Sequence, residues 1–385
     1  MATSPGDVRR FADRFCENSF PHAPGLASAV MRRDVLKWLG GVGASLFLAS
    51  CARSEDSPTA EARAVKNDVG NLPRTALLAD PVYKEHLTGS GHPESPQRCD
   101  AIAKAIEKAG LMPGLMKLKP RDADEKHILL CHTPEYLKTV KRDVGEGLGQ
   151  LTTGDTAISK RSLAVAAKAV GGVLGAVDAV VKRKAKNAFC IIRPPGHHAT
   201  PNRGMGFCIF NNAAIAARYA QTVHKLKRAL IVDWDVHHGN GTQDIFYADA
   251  SVFYFSTHQW PFYPGTGRPD ETGEGKGTGT TLNCPVPAGA GRKEILGAFK
   301  DKLVPAADKF KPDIVLISAG FDSRIGDPIG GFRLTDEDFA DLTKVMLDIA
   351  ARHAKGRVVS VLEGGYNLAG LASAATAHVK ALGQA

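Results

Sequence analysis

The chain has 385 residues, 43% of them hydrophobic, and a formal net charge of +9 at pH 7. This length suits one sizeable α/β domain, and the basic residues fall in small groups such as 182–184 and 225–228 that are typical of helix ends, so the charge does not indicate a nucleic-acid partner. Seven cysteines without a Cys-x-x-Cys pair argue against both a disulfide framework and a structural zinc knot.

The N-terminal part of the chain predicts an export signal. Arg32 and Arg33 precede an apolar stretch from Trp38 to Ala49, and Cys51 follows closely. This order is similar to that of a twin-arginine signal ending in a bacterial lipobox, whose cysteine is lipidated. The alternatives are a chance basic-plus-apolar stretch and a signal that is cleaved without lipidation. We predict export by the twin-arginine pathway and a periplasmic or cell-envelope lipoprotein anchored through Cys51.

Composition divides the chain into three parts. Residues 1–51 form the predicted extension and signal. Residues 52–72 are rich in Ala, Ser, Asp and Glu and poor in large apolar side chains, which predicts a flexible tether. Residues 73–385 carry the apolar runs of a single folded domain, and no second domain is expected.

Four short apolar runs in this domain each end at residues that can support chemistry. Short β-branched runs with helical segments between them predict one doubly wound, mostly parallel β-sheet flanked by helices. Ligands bind beyond the carboxyl ends of the strands in such sheets, so we expect one pocket to hold all four clusters. The runs and their clusters are Phe189–Ile192 before Pro194–His198, Ala229–Val232 before Asp233–His238, Asp313–Ser318 before Ala319–Asp322, and Val358–Leu362 before Glu363–Tyr366.

Three of these residues have the pattern of metal ligands. Asp235 and His237 alternate at the end of a predicted strand, so an extended backbone would point both side chains to the same side. Asp322 ends another predicted strand and can supply a third ligand. Two carboxylates and one imidazole leave an open coordination position, as a catalytic Zn²⁺ requires.

The segments around these residues resemble a known family. Asp233–Gln243 closely resembles the signature of class II histone deacetylases and of their bacterial relatives, the histone-deacetylase-like amidohydrolases. The resemblance covers roughly residues 75–382 and implies the arginase/deacetylase fold and the hydrolysis of acetyl or other short acyl groups from acyl-lysine-like amides. The other matching segments, in family order, are His92–Arg98, Arg193–Ala199, Gly206–Cys208, Pro264–Gly267, Ala319–Asp322 and Glu363–Asn367.

The resemblance implies catalytic roles for five side chains. His198 is expected to act as general base and then as general acid, with His197 as its electrostatic partner. Each imidazole needs an acceptor at its far nitrogen to fix its tautomer, and Asn240 is expected beside His198 and Asp233 beside His197. Tyr366 is expected to donate a hydrogen bond to the developing oxyanion.

The resemblance also implies bound ions, namely one catalytic Zn²⁺ and one or two structural K⁺. The expected zinc ligands are Asp235, His237 and Asp322. The first K⁺ site is expected near Asp233, Asp235, His237 and Ser256, through backbone carbonyls and the side chains of Asp233 and Ser256. A second monovalent site is expected at carbonyls around Phe246, Asp249 and Val252.

The substrate tunnel is expected between aromatic walls. By the resemblance, Gly206 and Phe207 on one side and Tyr263 on the other enclose the methylenes of a lysine. Ile329 stands where the family's polyamine deacetylase carries a glutamate that selects a second cationic amine. The aliphatic side chain favours acyl-lysine or another neutral-bodied amide, with an acetylpolyamine amidohydrolase as the alternative.

Two other readings are weaker. Arginase-like hydrolases share the architecture but hold two Mn²⁺ with an Asp-x-Asp pair, and here Ser323 and Arg324 follow Asp322. A non-catalytic exported metal- or ligand-binding lipoprotein is opposed by the complete set of catalytic residues. The expected partner is a small acylated amine or an acyl-lysine peptide, a membrane is expected only through the lipid anchor, and the oligomeric state stays open.

Overall fold

Strands and helices alternate along residues 74–385, the part of the chain that the computed structural model describes. Arg32, Arg33 and Cys51 of the predicted signal lie outside the described residues. The strands are β1 (Arg74–Ala79), β2 (Met116–Leu118), β3 (Ala185–Ile191), β4 (Ala229–Asp233), β5 (Val252–Gln259), β6 (Thr281–Val286), β7 (Ile314–Ala319) and β8 (Val358–Leu362). The helices are α1 (Gln97–Lys108), α2 (Glu125–Ile128), α3 (Pro134–Gly145), α4 (Ser162–Val181), α5 (Asn212–Thr222), α6 (Asn240–Phe246), α7 (Arg292–Ala298), α8 (Val304–Phe310), α9 (Asp336–His353) and α10 (Leu368–Leu382).

The eight strands form one sheet in the order β2-β1-β3-β8-β7-β4-β5-β6, and every neighbouring pair is parallel. This confirms the predicted doubly wound parallel sheet. Because all strands run in one direction, their carboxyl ends share one edge of the sheet and their amino ends share the opposite edge. The four predicted apolar runs coincide with β3, β4, β7 and β8, which are adjacent in the sheet.

The strands form the apolar centre of the fold. Every residue of β4, β5, β7 and β8 is buried, and burying each Val, Ile or Leu side chain stabilises the fold by about 1.5–3 kcal/mol. Helices α4 and α5 pack together on one side, and α1, α9 and α10 form a second group. By length and composition α4 could cross a membrane, but 67% of its most apolar window is buried, as in a core helix.

The register of the central strands brings the chemical residues together. Asp233 at the end of β4 pairs with Ser318 of β7 and with Ser256 of β5. Residues that follow β4, β7 and β8 therefore emerge side by side.

The strand bearing the metal-ligand pair is shorter than the sequence suggests. β4 ends at Asp233, so Asp235 and His237 lie in the loop beyond it. An Asp233 side-chain oxygen accepts a hydrogen bond from the Asp235 nitrogen at 3.1 Å, and an Asp235 oxygen accepts one from the His237 nitrogen at 2.9 Å. These local bonds take the backbone out of the strand ladder, because short acidic side chains compete for backbone donors.

Candidate active site

Asp235, His237 and Asp322 converge at the carboxyl edge of the sheet. All three are buried, and one ligand atom from each lies within 4.8 Å of the other two. His237 Nδ1 is 2.9 Å from Asp235 Oδ1 and 3.3 Å from Asp322 Oδ2. The structure thus brings together the three side chains that the sequence predicts as metal ligands.

Two glycines make room for these carboxylates. A Cβ atom at Gly320 would collide with the carboxylate of Asp235, and one at Gly364 would collide with the carboxylates of both Asp322 and Asp235. The Gly364 nitrogen also donates a hydrogen bond of 2.8 Å to Asp235 Oδ2. The backbone therefore approaches the acidic pair closely and fixes one of its oxygens.

The donor set fits a divalent cation. Asp322 Oδ2 is buried and accepts no well-formed hydrogen bond, whereas Asp322 Oδ1 accepts one from the Val236 nitrogen at 2.9 Å. Burial and the nearby Asp235 raise the pKa of Asp322 to about 7. A buried acidic pair with an oxygen that accepts no well-formed hydrogen bond is costly without a cation. Two carboxylates and one imidazole suit Zn²⁺ and leave a coordination position open.

A second group of potential ligands, His197, Cys208 and Glu363, serves a different purpose. One carboxylate oxygen of Glu363 accepts hydrogen bonds from the nitrogens of Gly196 at 2.7 Å and His197 at 3.2 Å, and the other accepts one from Ser318 Oγ at 3.1 Å. Both oxygens are engaged, so Glu363 fixes the loop that carries the histidine pair.

The two histidines are adjacent but lie in different electrostatic environments. Their ring centroids are 4.0 Å apart. Burial opposes charge on His197, but the carboxylates of Asp233 and Asp235 outweigh it and raise the pKa of His197 to about 10. Burial, together with the neighbouring His197 and His237, lowers the pKa of His198 well below its usual value. These surroundings favour the charged form of His197 and the neutral form of His198.

The expected acceptors lie beside both rings. His197 Nδ1 is 2.9 Å from Asp233 Oδ2, and His198 Nδ1 is 2.8 Å from Asn240 Oδ1. An amide oxygen can only accept, so His198 Nδ1 carries the proton and Nε2 has a free lone pair. Asn240 is the first residue of α6, which places its side chain directly after the metal-ligand loop.

Aromatic side chains surround this centre. Tyr263 packs edge-on against His198 with centroids 5.2 Å apart, and Phe207 packs edge-on against Tyr366 at 6.0 Å. Gly206 has a φ of 57°, and a Cβ there would collide with the ring of His198. The predicted tunnel residues therefore line the catalytic side chains themselves.

Tyr366 follows β8, and both of its neighbours in the chain are held by hydrogen bonds. The next residue, Asn367, caps α10 by accepting a hydrogen bond from the Gly370 nitrogen at 3.0 Å. The guanidinium of Arg98 lies over the Tyr366 ring, 5.1 Å from its centroid, and donates to the Gly365 carbonyl at 2.7 Å. Ile329 lies in the loop after β7 and is half-buried.

Two supporting acids were not predicted from the sequence. Asp155 accepts a hydrogen bond from the Gly206 nitrogen at 2.7 Å and one from Tyr263 Oη at 3.3 Å, so it joins the two tunnel walls. Asp327 accepts four backbone hydrogen bonds, from residues 329, 330, 366 and 367. The Gly-Asp-Pro sequence at 326–328 predicts a turn, but no sequence motif around Asp155 predicts its contacts with Gly206 and Tyr263.

Suitable oxygen atoms lie at the predicted K⁺ positions, and several of them already take part in hydrogen bonds within the protein. Ser256 pairs with Asp233 across β4 and β5, and its hydroxyl is 2.9 Å from His258 Nδ1. At the second predicted position, the Phe246 carbonyl accepts a hydrogen bond from the Asp249 nitrogen at 2.9 Å. Val252 begins β5. Both K⁺ sites remain predictions.

Comparison with known proteins gives a consistent family match. A family model described as "Histone deacetylase domain" matches residues 92–382. Histone deacetylase 10, chloroplastic, of Oryza sativa subsp. japonica is 43% identical over 298 residues, which cover 73% of this chain and 67% of that protein. Polyamine deacetylase HDAC10 of Danio rerio is 40% identical over 300 residues, which cover 75% of this chain and 44% of that protein.

The fold is also similar to a solved structure. The crystal structure of the HDA15 HD domain matches with a TM-score of 0.76 and 38% sequence identity, covering 80% of this chain and 89% of that chain. Against the two relatives above, the chain spans about two thirds of the plant protein and less than half of the fish protein.

Proposed function

Because the chain belongs to the histone deacetylase family, we propose that it is a zinc-dependent amidohydrolase that removes acetyl or other short acyl groups from acyl-lysine-like amides. Family membership supports a hydrolase that acts on amides. The observation that carries the metal assignment is the buried Asp322 oxygen that accepts no well-formed hydrogen bond and lies beside Asp235 and His237. These three residues would hold the ion.

Zn²⁺ bound there would supply Lewis-acid chemistry, polarising the substrate carbonyl and making water a competent nucleophile near neutral pH. His198 is the proposed general base, because Asn240 holds the Nδ1 proton and leaves Nε2 free to accept one. The same proton then passes from His198 to the leaving amine nitrogen. This exchange needs an imidazole that is neutral at rest, which the lowered pKa of His198 supports.

His197 has a separate proposed role. Its hydrogen bond to Asp233 and its raised pKa of about 10 favour a protonated ring. The charge lies beside His198 and helps to keep that ring neutral until it accepts a proton. The hydroxyl of Tyr366 would donate a hydrogen bond to the carbonyl oxygen as negative charge develops there, an interaction worth about 3–4 kcal/mol in comparable sites.

The substrate proposal rests on the tunnel. Phe207 and Tyr263 would enclose the methylenes of an acylated lysine, and Ile329 would add an apolar surface without a carboxylate for a second amine. One relative is named a polyamine deacetylase, so acetylpolyamines are the second candidate. The apolar residue at 329 favours acyl-lysine.

Location and structural ions complete the proposal. The order of Arg32, Arg33, apolar stretch and Cys51 supports export by the twin-arginine pathway and lipid attachment. One K⁺ near Asp233 and Ser256 would balance the buried charge of that carboxylate, and a second would bind the carbonyls around Phe246. The remaining alternative is a non-catalytic metal-binding lipoprotein, which measured amidase activity would exclude.

The test is a substrate panel with purified protein. Acetyl-lysine peptides, longer acyl-lysine peptides and acetylpolyamines are offered to the wild type and to His198→Ala, which controls for contaminating activity. We expect turnover of acyl-lysine peptides above that of acetylpolyamines, removed by chelation and by His198→Ala. Equal hydrolysis by both proteins would contradict the proposal, and a preference for acetylpolyamines would select the second candidate.

A further inference from the structure

Exposed cations line the amino edge of the sheet, opposite the active site. The loops before β3, β8, β7 and β4 lie side by side, because these four strands are adjacent in the sheet. Each loop carries at least one exposed basic side chain. The basic edge is defined as Arg183, Lys184, Lys225, Lys227, Arg228, Lys311 and Lys355, all of which are exposed.

Local structure explains these residues only in part, since Lys225 Nζ donates to the Thr222 carbonyl at the end of α5 at 2.8 Å. Arg183, Lys225, Lys311 and Lys355 have φ values of 56°, 58°, 55° and 54°, a conformation that glycine adopts most readily after a helix. A cation also interacts favourably with the preceding helix end, but that effect fades within the last turn. The interaction with the helix end therefore does not account for the second basic residue in the loops before β3 and β4.

Nearby carboxylates offset the seven positive charges of the basic edge only in part. Within residues 74–385, none of its side chains forms an ion pair. Asp178 pairs with Arg121 at 2.9 Å, and Asp308 pairs with Arg352 at 2.8 Å. Asp313 accepts hydrogen bonds from the backbone nitrogens of residues 227 and 228, at 2.8 and 3.0 Å.

The cations of the basic edge lie close enough together to destabilise one another when no anion is bound. Adjacent strands lie about 4.8 Å apart, so the four loops fall within about 15 Å. The screening length is about 8 Å at physiological salt, so the cations repel one another. An extended anionic partner would remove this repulsion.

We propose that the basic edge docks on an anionic phospholipid surface. The first described strand, β1, begins at Arg74 beside β3, so the chain enters the domain at this edge. The preceding segment, residues 52–72, joins it to the predicted lipid attachment at Cys51. The tether predicted from the composition of this segment would have an end-to-end distance of roughly 25 Å, which would keep the basic edge close to the lipid headgroups.

The choice of lipid over another polyanion rests on the predicted attachment at Cys51, whereas the basic edge itself is a feature of the fold. Clusters of lysine and arginine next to a membrane anchor bind anionic headgroups through their summed charge. Docking in this way would leave the carboxyl edge, with its active site, facing away from the membrane. Soluble acylated substrates would then reach the tunnel freely.

The experiment measures vesicle binding of the full chain carrying Cys51→Ser, so that no acyl chain contributes. The edge variant combines Lys184→Glu, Lys225→Glu, Lys311→Glu and Lys355→Glu. The matched control combines Lys104→Glu, Lys138→Glu, Lys160→Glu and Lys293→Glu, which are exposed elsewhere and change the net charge equally. All proteins keep residues 38–49, so that apolar stretch contributes equally to each.

We expect the parent and the control to bind phosphatidylglycerol vesicles at least about tenfold more tightly than phosphatidylcholine vesicles, and the edge variant to lose this difference. Raising the salt to about 0.5 M should abolish the difference as well. Acyl-lysine turnover should be the same in all three. Equal loss in both variants would show an effect of net charge alone and overturn the proposal. Equally tight binding of DNA at matched phosphate concentration would overturn the lipid assignment.

Discussion

Asp327 Oδ2 accepts a hydrogen bond of 2.7 Å from the backbone nitrogen of Tyr366, although 39 residues separate the two in the chain. The other oxygen of the same carboxylate accepts hydrogen bonds from the nitrogens of Ile329 at 3.0 Å and Gly330 at 3.3 Å. One half-buried side chain therefore joins the loop after β7, which carries a metal ligand, to the loop that carries the proposed oxyanion donor. This geometry makes Asp327 a positioning residue for Tyr366.

Asp327→Asn should lower kcat about tenfold and change KM by less than about threefold, because a displaced hydroxyl weakens an interaction made mainly in the transition state. Tyr366→Phe should lose about a hundredfold in kcat on its own. The double variant should be no slower than Tyr366→Phe, since Asp327 acts through that hydroxyl. If steady-state kinetics gave the double variant a loss equal to the product of the two single losses, with unchanged zinc content, Asp327 would not act through Tyr366.

Asn240→Asp should raise the pKa of His198, because a carboxylate would replace an amide 2.8 Å from Nδ1. The general base must be neutral, so the acid limb of the kcat/KM profile should move to higher pH by about one unit. The pH profiles of the wild type and the variant measure this directly. An unmoved acid limb would mean that His198 is not the base whose titration limits the rate.

Much of this site could be predicted from the sequence, because the relevant residues directly follow apolar runs. Parallel strands put Asp235, Asp322 and Tyr366 at one edge whatever the details of the loops. The functions of Asp155 and Asp327 could not be predicted, since each contacts residues that are distant in the chain, Gly206 and Tyr263 for Asp155 and the nitrogen of Tyr366 for Asp327. The extended backbone expected at Asp235 and His237 is not formed, because the Asp235 nitrogen donates a hydrogen bond to the Asp233 side chain, which an apolar run does not reveal.

Acid should destabilise the fold through buried neutral histidines. His132 Nδ1 donates to the Thr200 carbonyl at 2.9 Å, while Nε2 accepts from the Asn211 nitrogen at 2.9 Å. A second ring proton would face that N–H, and burial lowers the pKa of His132 to about 4. The unfolded state binds this proton from about pH 6.5 downward and the folded state only near pH 4. Stability is therefore full above pH 6.5 and falls between these values, by up to about 3 kcal/mol.

His132→Gln should flatten this pH dependence, whatever its effect on stability at pH 7. Denaturant unfolding between pH 7 and pH 4 gives the comparison. Parallel curves for the wild type and the variant would assign the acid sensitivity to other groups.

Location is tested in a bacterial host with a working twin-arginine system. The wild type should appear in the membrane fraction, whereas Arg32→Lys with Arg33→Lys should leave it in the cytoplasm. Cys51→Ala should permit export but abolish lipid attachment, whose acyl chains supply about 0.8 kcal/mol per buried methylene. Unprocessed wild-type protein in the cytoplasm of such a host would refute the predicted signal.

The central claim is that Asp235, His237 and Asp322 hold one catalytic zinc ion. The most direct measurement titrates Zn²⁺ into metal-free protein while following acetyl-lysine peptide turnover, with Asp322→Asn as the comparison. The account predicts activity that rises to a plateau at one Zn²⁺ per chain in the wild type, and a variant that needs far more zinc because one charged ligand is lost. Full activity of the metal-free protein, a plateau at two ions per chain, or a variant that titrates like the wild type would contradict it.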